Sequence, residues 1–119
     1  MSIWTHVVGN IRADGLPNIT RTTEGIKETL GKICTFENWE ENTTLPCGSE
    51  GGLQYKVIEY DTGMPWVTIP IWGDLRDYDD FEAIKKWWFE TLEKLGCIRD
   101  AVLCVSVEGK EPIVLTVDE

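Results

Sequence analysis

The stretch PCGSEGG, residues 46–52, sets Gly48, Gly51 and Gly52 around Ser49, immediately before the strand-like run LQYKVIEY. Glycines permit positive φ and close backbone approach, and consecutive N–H groups in such turns form anion-binding concavities. With the Ser49 hydroxyl as a further donor, this is the chemistry of a phosphate grip. It is not the G-x-x-x-x-G-K-[ST] loop, because no lysine follows the glycines closely and a strand, not a helix, comes next. A grip here needs cations brought from Arg12, Arg21, Lys56 or Arg76, and Glu50 opposes one. The same residues read equally as a flexible turn.

Further candidates lie on strands. SIWTHVVGNIRA alternates, with Ile3, Val7 and Ile11 on one side and Trp4, His6, Val8, Asn10 and Arg12 on the other. WVTIPIW (66–72) likewise sets Val67, Ile69 and Ile71 against Trp66, Thr68, Pro70 and Trp72. If the apolar sides meet helices, Trp4 and Trp72 share an open surface on which a base can stack. Arg12, His6, Arg76 and the Gly48–Ser49 turn would then meet its phosphates. A homodimer seam is the competing use of that surface, since exposed aromatics in such number are usually covered.

Asp74, Arg76 and Asp77 could hold Mg²⁺ or do acid–base work, or could form an ion-paired turn before a helix. One histidine, no serine or cysteine with an evident base, and no cofactor fingerprint predict a protein that is not an enzyme and carries no cofactor. Cys34, Cys47, Cys97 and Cys104 form no C-x-x-C pair, and buried thiols are expected rather than a zinc site.

The elements that must position these residues can be read in order. The first strand is broken by Asp14-Gly15 and Pro17-Asn18. Thr22 and Thr23 are N-cap candidates for a short helix carrying Ile26, Leu30 and Ile33. Residues 35–52 form a long loop, and LQYKVIEY (53–60) is the second strand, closed by an Asp61-Thr62-Gly63 turn. The proline in WVTIPIW removes a ladder hydrogen bond and argues against a central place for that strand. Gly73–Tyr78 then reads as a turn, with Asp79 and Glu82 as a D-x-x-E cap. The next helix turns Phe81, Ile84, Trp88, Leu92 and Leu95 to one face and stops at Gly96. Trp87 falls at the border of that face. VLCVSV (102–107) and PIVLTV (112–117) read as a hairpin. This order predicts one α+β domain over residues 1–119, a ferredoxin-like βαββαβ with an extra C-terminal strand. Both helices would cover one face of an antiparallel sheet.

Composition narrows the classes of function. A chain of 119 residues with 42% apolar side chains has a globular composition. Its net charge of −10, from 21 acidic and 11 basic side chains, excludes general nucleic-acid binding and disfavours anionic membranes. No segment has the length of a membrane span, and the N-terminus has no basic, apolar leader pattern, so a cytoplasmic protein is expected.

SIWTHV, the CGSEG-LQY stretch and GDLRDYDD together resemble small proteins encoded by phages and prophages of Gram-positive bacteria. The resemblance implies a non-enzymatic, counter-defence protein acting in the cytoplasm of a bacterial host. Two expectations follow. One is capture of a small anionic ligand, such as a signalling nucleotide, by Trp4, His6, Arg12, Gly48, Ser49, Trp72 and Arg76. The other is an acidic inhibitor that binds a host defence or nucleic-acid-binding protein.

Overall fold

The computed structural model describes residues 2–14, 23–31, 45–58 and 66–118. In chain order the elements are β1 (Trp4–Asp14), α1 (Thr23–Leu30), β2 (Gln54–Tyr55), β3 (Trp66–Arg76), α2 (Phe81–Leu95), β4 (Ile98–Val107) and β5 (Ile113–Leu115). The strands form one antiparallel five-stranded sheet in the order β2-β3-β1-β4-β5. The molecule is therefore mixed α+β. Ile33, the loop through residue 44, and the 59–63 end of the second strand and its turn lie outside the described residues.

Strand alternation sorts the sheet into two faces. Val7, Ile11 and Ala13 of β1 are buried with Val67, Ile69, Ile71 and Leu75 of β3 and with Ala101, Leu103 and Val105 of β4. Ile26 and Leu30 of α1 and Ile84, Trp88, Leu92 and Leu95 of α2 join the same cluster. Tyr55 reaches across from β2, and its hydroxyl donates to the Gly31 carbonyl at the end of α1 at 2.9 Å. The fully buried Trp88 donates its indole N–H to the Thr116 carbonyl at 2.9 Å, which ties the chain just after β5 to α2. Thr5 also points inward, where its hydroxyl donates to the Tyr78 carbonyl.

Several boundaries differ from the sequence reading. β3 continues through Gly73 to Arg76, so Gly73-Asp74-Leu75-Arg76 is strand rather than turn. Gly73 is tolerated because the space of a Cβ is taken by the Gly52 carbonyl and the Leu53 side chain, at 2.8 and 3.0 Å. β3 also lies inside the sheet despite Pro70. In an antiparallel pair a residue's N–H and C=O face the same neighbour. The Pro70 carbonyl accepts from Lys56 N, so the missing N–H falls on the β2 side, where regular pairing has already stopped.

β4 begins at Ile98, four residues earlier than VLCVSV suggests, because Asp100 and Ala101 pair with Arg12 and Ile11. Asp80, not Asp79, caps α2, accepting from Ala83 N at 3.1 Å. Ile3 is exposed, since it precedes the strand. No helix among the described residues is long and apolar enough to cross a membrane.

Gly9 sits at the middle of β1 facing the core. A Cβ there would lie 2.3 Å from the Val102 carbonyl oxygen and 2.9 Å from Leu103 Cα. Gly9→Ala must therefore push β1 and β4 apart. A loss of about 2–3 kcal/mol is expected in chemical denaturation; a cost under half a kcal/mol would show that the strands can move apart freely.

Candidate functional site

The candidate site is the face of the sheet turned away from the helices. The even-numbered residues of β1 and β3, and those of β4 from Asp100 onward, emerge there in rows set by the register. The middle row runs Gln54–Trp72–Val8–Cys104–Val114 across all five strands. Trp72 is 45% exposed, Val8 61% and Val114 59%. The next row, Pro70–Asn10–Val102, sets Pro70 and the 45% exposed Val102 on either side of the polar Asn10. Apolar side chains standing side by side in this way make a contiguous patch, which marks interaction surfaces in soluble proteins.

Paired polar and charged side chains close both ends of the stripe. At one end His6 Nδ1 is 2.6 Å from Asp74 Oδ1, and Nε2 is 3.8 Å from Glu108 Oε2. Glu108 also accepts from Trp4 N at 3.0 Å. At the other end Arg12 pairs with Asp100 at 3.2 Å and Arg99 with Asp14 at 3.0 Å. The Arg99 guanidinium lies over the Trp66 ring, 4.7 Å from its centroid, in a cation–π contact. Among the described residues no cluster of three or more His, Cys, Asp or Glu side chains is arranged to hold a metal ion.

PCGSEGG is a structural turn laid along β3. Gly48 N donates to the Gly51 carbonyl and Leu53 N to the Pro46 carbonyl, with a bridge between Cys47 and Gly52. Ser49 N donates to the Arg76 carbonyl and Arg76 N to the Glu50 carbonyl, so the turn extends the sheet edge beyond β2. The Ser49 hydroxyl donates to Asp77 Oδ2 at 2.8 Å. Arg76 Nη1 is 2.6 Å from Glu50 Oε1, and its Nε donates to Ser2 Oγ at 3.0 Å. The amides of Gly48 and Ser49, the Ser49 hydroxyl and the arginine that a phosphate would use are all engaged within the protein.

Of the residues singled out from the sequence, Gly48, Ser49 and Arg76 come together, with Trp4 paired to Arg76 across β1–β3. His6 lies one row further in. Trp72 stands in the middle and Arg12 near the far end, so Trp4 and Trp72 are separated by about 13 Å along the strands rather than facing each other as a clamp. Sequence reasoning missed Glu108 and Asp100, which complete the ion pairs, and the contribution of Val102, Cys104 and Val114. The alternation of VLCVSV was the available signal, since it sets Val102, Cys104 and Ser106 opposite the buried Leu103 and Val105.

Fold and face together define a small α+β protein with helices on one side of an antiparallel sheet and an exposed, ion-pair-framed apolar stripe on the other. Compared with known protein families, with curated proteins and with solved structures, the chain matches none.

Two glycines at positive φ separate backbone conformation from contact. Gly51 has φ 72°, and a Cβ there would meet the Asp74 carbonyl oxygen; Gly109 has φ 84°, and a Cβ there would meet nothing. Gly109→Ala is expected to cost about 1 kcal/mol, the conformational penalty alone. Gly51→Ala should cost at least about 2 kcal/mol more, as β3 and the turn separate. Equal losses in parallel urea titrations would show that the turn does not press on β3.

Proposed function

We propose that this chain is a non-enzymatic binding protein whose open sheet face docks onto a protein surface. The observation that carries the reading is the apolar row Trp72–Val8–Cys104–Val114, exposed at Trp72, Val8 and Val114 and framed by paired charges. Large aromatic and aliphatic side chains within a polar rim make the anchors of protein interfaces. An inhibitor of a host protein, as the phage-type resemblance implies, and a self-assembling module would both use the face in this way.

Capture of a small anionic ligand is the second reading. Trp72 on the open face favours it as a stacking plane. The engaged state of Arg12, Arg76 and Arg99 weighs against it, since an anion would have to displace Asp100, Glu50 or Asp14. The finer fold assignment, a ferredoxin-like split βαβ with an added C-terminal strand, belongs to the same proposal. It is supported by β1 lying between β3 and β4 with a helix in each crossover, while β5 departs from the four-strand pattern.

The test compares immobilised wild type, Val8→Asp and Trp72→Glu as baits for bacterial lysate supplemented with the free chain. Both variants should lose bound protein more than tenfold at unchanged far-ultraviolet circular dichroism. Undiminished capture by both would sink the docking reading. A nucleotide panel read by thermal shift bears on the second reading, because a ligand at 100 times its dissociation constant adds about 2.7 kcal/mol. No shift is expected; a shift removed by Arg12→Ala would put the anionic ligand first.

A further inference from the structure

We infer that the open face takes one amphipathic helix of a partner protein, laid across the strands, with lysines or arginines along the flank that meets Asp74 and Glu108. The inference rests on the docking reading above and names its occupant. Spacing is the first argument. The row Trp72–Val8–Cys104–Val114 steps from strand to strand over β3, β1, β4 and β5. Neighbouring strands lie about 4.8 Å apart, and the apolar side chains on one face of a helix recur about every 5.4 Å, once per turn. A helix across the strands therefore sets one turn on each strand and drifts by only about 2 Å over the whole row. An extended segment in the same place repeats its facing side chains about every 6.7 Å and drifts by about 6 Å, more than a strand spacing. Width agrees. The Val8 row and the Asn10 row are about 7 Å apart along the strands, and a helix about 10 Å across covers both. β2 and β5, of two and three residues, leave too little surface for a whole sheet, but the row asks for only about four helical turns.

Charge then selects the kind of helix. On one side of the apolar row stand Asp74, His6 and Ser106, paired across β3, β1 and β4. Glu108 Oε2 reaches to 3.8 Å from His6 Nε2, and Asp74 Oδ1 lies 2.6 Å from Nδ1. Two carboxylates share one imidazole, so this bank is acidic in either protonation state of the ring. On the opposite bank Arg12 and Arg99 are matched one for one by Asp100 and Asp14. The row thus has one acidic bank and one neutral bank. A helix with cations along one flank finds its complement on the first and offends nothing on the second. Carboxylates on that same flank would set like charge against like. Apolar residues at i, i+3, i+4 and i+7 with a basic edge are therefore the pattern this surface reads.

Three labelled synthetic peptides of about five helical turns, titrated with the whole chain and read by fluorescence anisotropy, test this. The first carries leucine at helical spacing with lysine on one flank. The second has glutamate on that flank. The third has the composition of the first with leucine at every second position. The lysine-flanked helix should bind at least tenfold tighter than either of the others. Val8→Asp should remove that binding at unchanged circular dichroism. Asp74→Lys combined with Glu108→Lys should reverse the preference between lysine and glutamate flanks. Glu90→Lys combined with Glu93→Lys, exposed on α2 and equal in net charge change, should leave the preference as it was. The helix assignment is overturned by equal binding of the two flanks, by a preference that the α2 pair reverses as well, by tighter binding of the alternating peptide, or by no binding at all. The docking reading fails separately, on the lysate capture, which can persist when every peptide is silent.

Discussion

Everything in this molecule depends on β1 being hydrogen-bonded along both edges. Its neighbours β3 and β4 are both antiparallel to it, and the three strands share one register over most of their length. Side chains on a strand alternate with a period of two, so that register decides at once which residues are core and which are surface. Val7 and Ile11 go to the helices; Val8, Asn10 and Arg12 go to the other side. A slip of one residue would exchange the two sets. Gly9 is the point where the pairing is tightest, since the Val102 carbonyl and Leu103 occupy the volume that any side chain there would claim. The cost of an empty position in the middle of a strand is offset by the close approach of β4.

The second constraint is the outer edge of β3, which would be a long row of unpaired backbone groups. β2 protects only two residues of it, Trp72 and Ile71. An isolated bridge from Ile58 to Thr68 covers one end. The turn around Gly48 to Gly52 covers the other by exchanging hydrogen bonds with Arg76. Its glycines are required because backbone meets backbone there, Gly51 against Asp74 and Gly48 against Arg76. Pro70 lies between these covers, where its carbonyl accepts from Lys56 N and its missing N–H falls beside the end of β2.

The parts legible in the sequence are those governed by period. The two faces of β1 and β3, the buried stripe of α2 and the hairpin of β4 and β5 all follow from alternation or from the 3.6-residue turn. What was not legible depends on partners distant in sequence. Gly73-Asp74-Leu75-Arg76 has the composition of a turn, yet pairing with β1 on one side and with the Pro46–Leu53 turn on the other holds it extended. The same applies to Arg12 and Arg76. From sequence they are free cations available for an anion; in space Asp100 and Glu50 have already claimed them. Ligand selectivity on an open sheet is decided by such cross-strand neighbours, and one strand read alone does not contain them.

That last point bears on how charge is arranged around the exposed apolar face of an acidic protein. A net charge of −10 spread evenly would repel a second copy from every direction. Here Arg12, Arg76 and Arg99 beside the apolar stripe each stand against a carboxylate, while the acidic residues Asp77, Asp79 and Asp80 cluster beyond the end of β3 and Glu24 and Glu28 lie on α1. Paired charges need not be stripped of their counter-ions when a flat surface covers the stripe between them, because they stay at the wet rim. A small anion gains little from the same arrangement, since each guanidinium it approaches brings a carboxylate with it. Distribution of charge, more than its total, therefore favours a broad protein contact over a compact anionic guest.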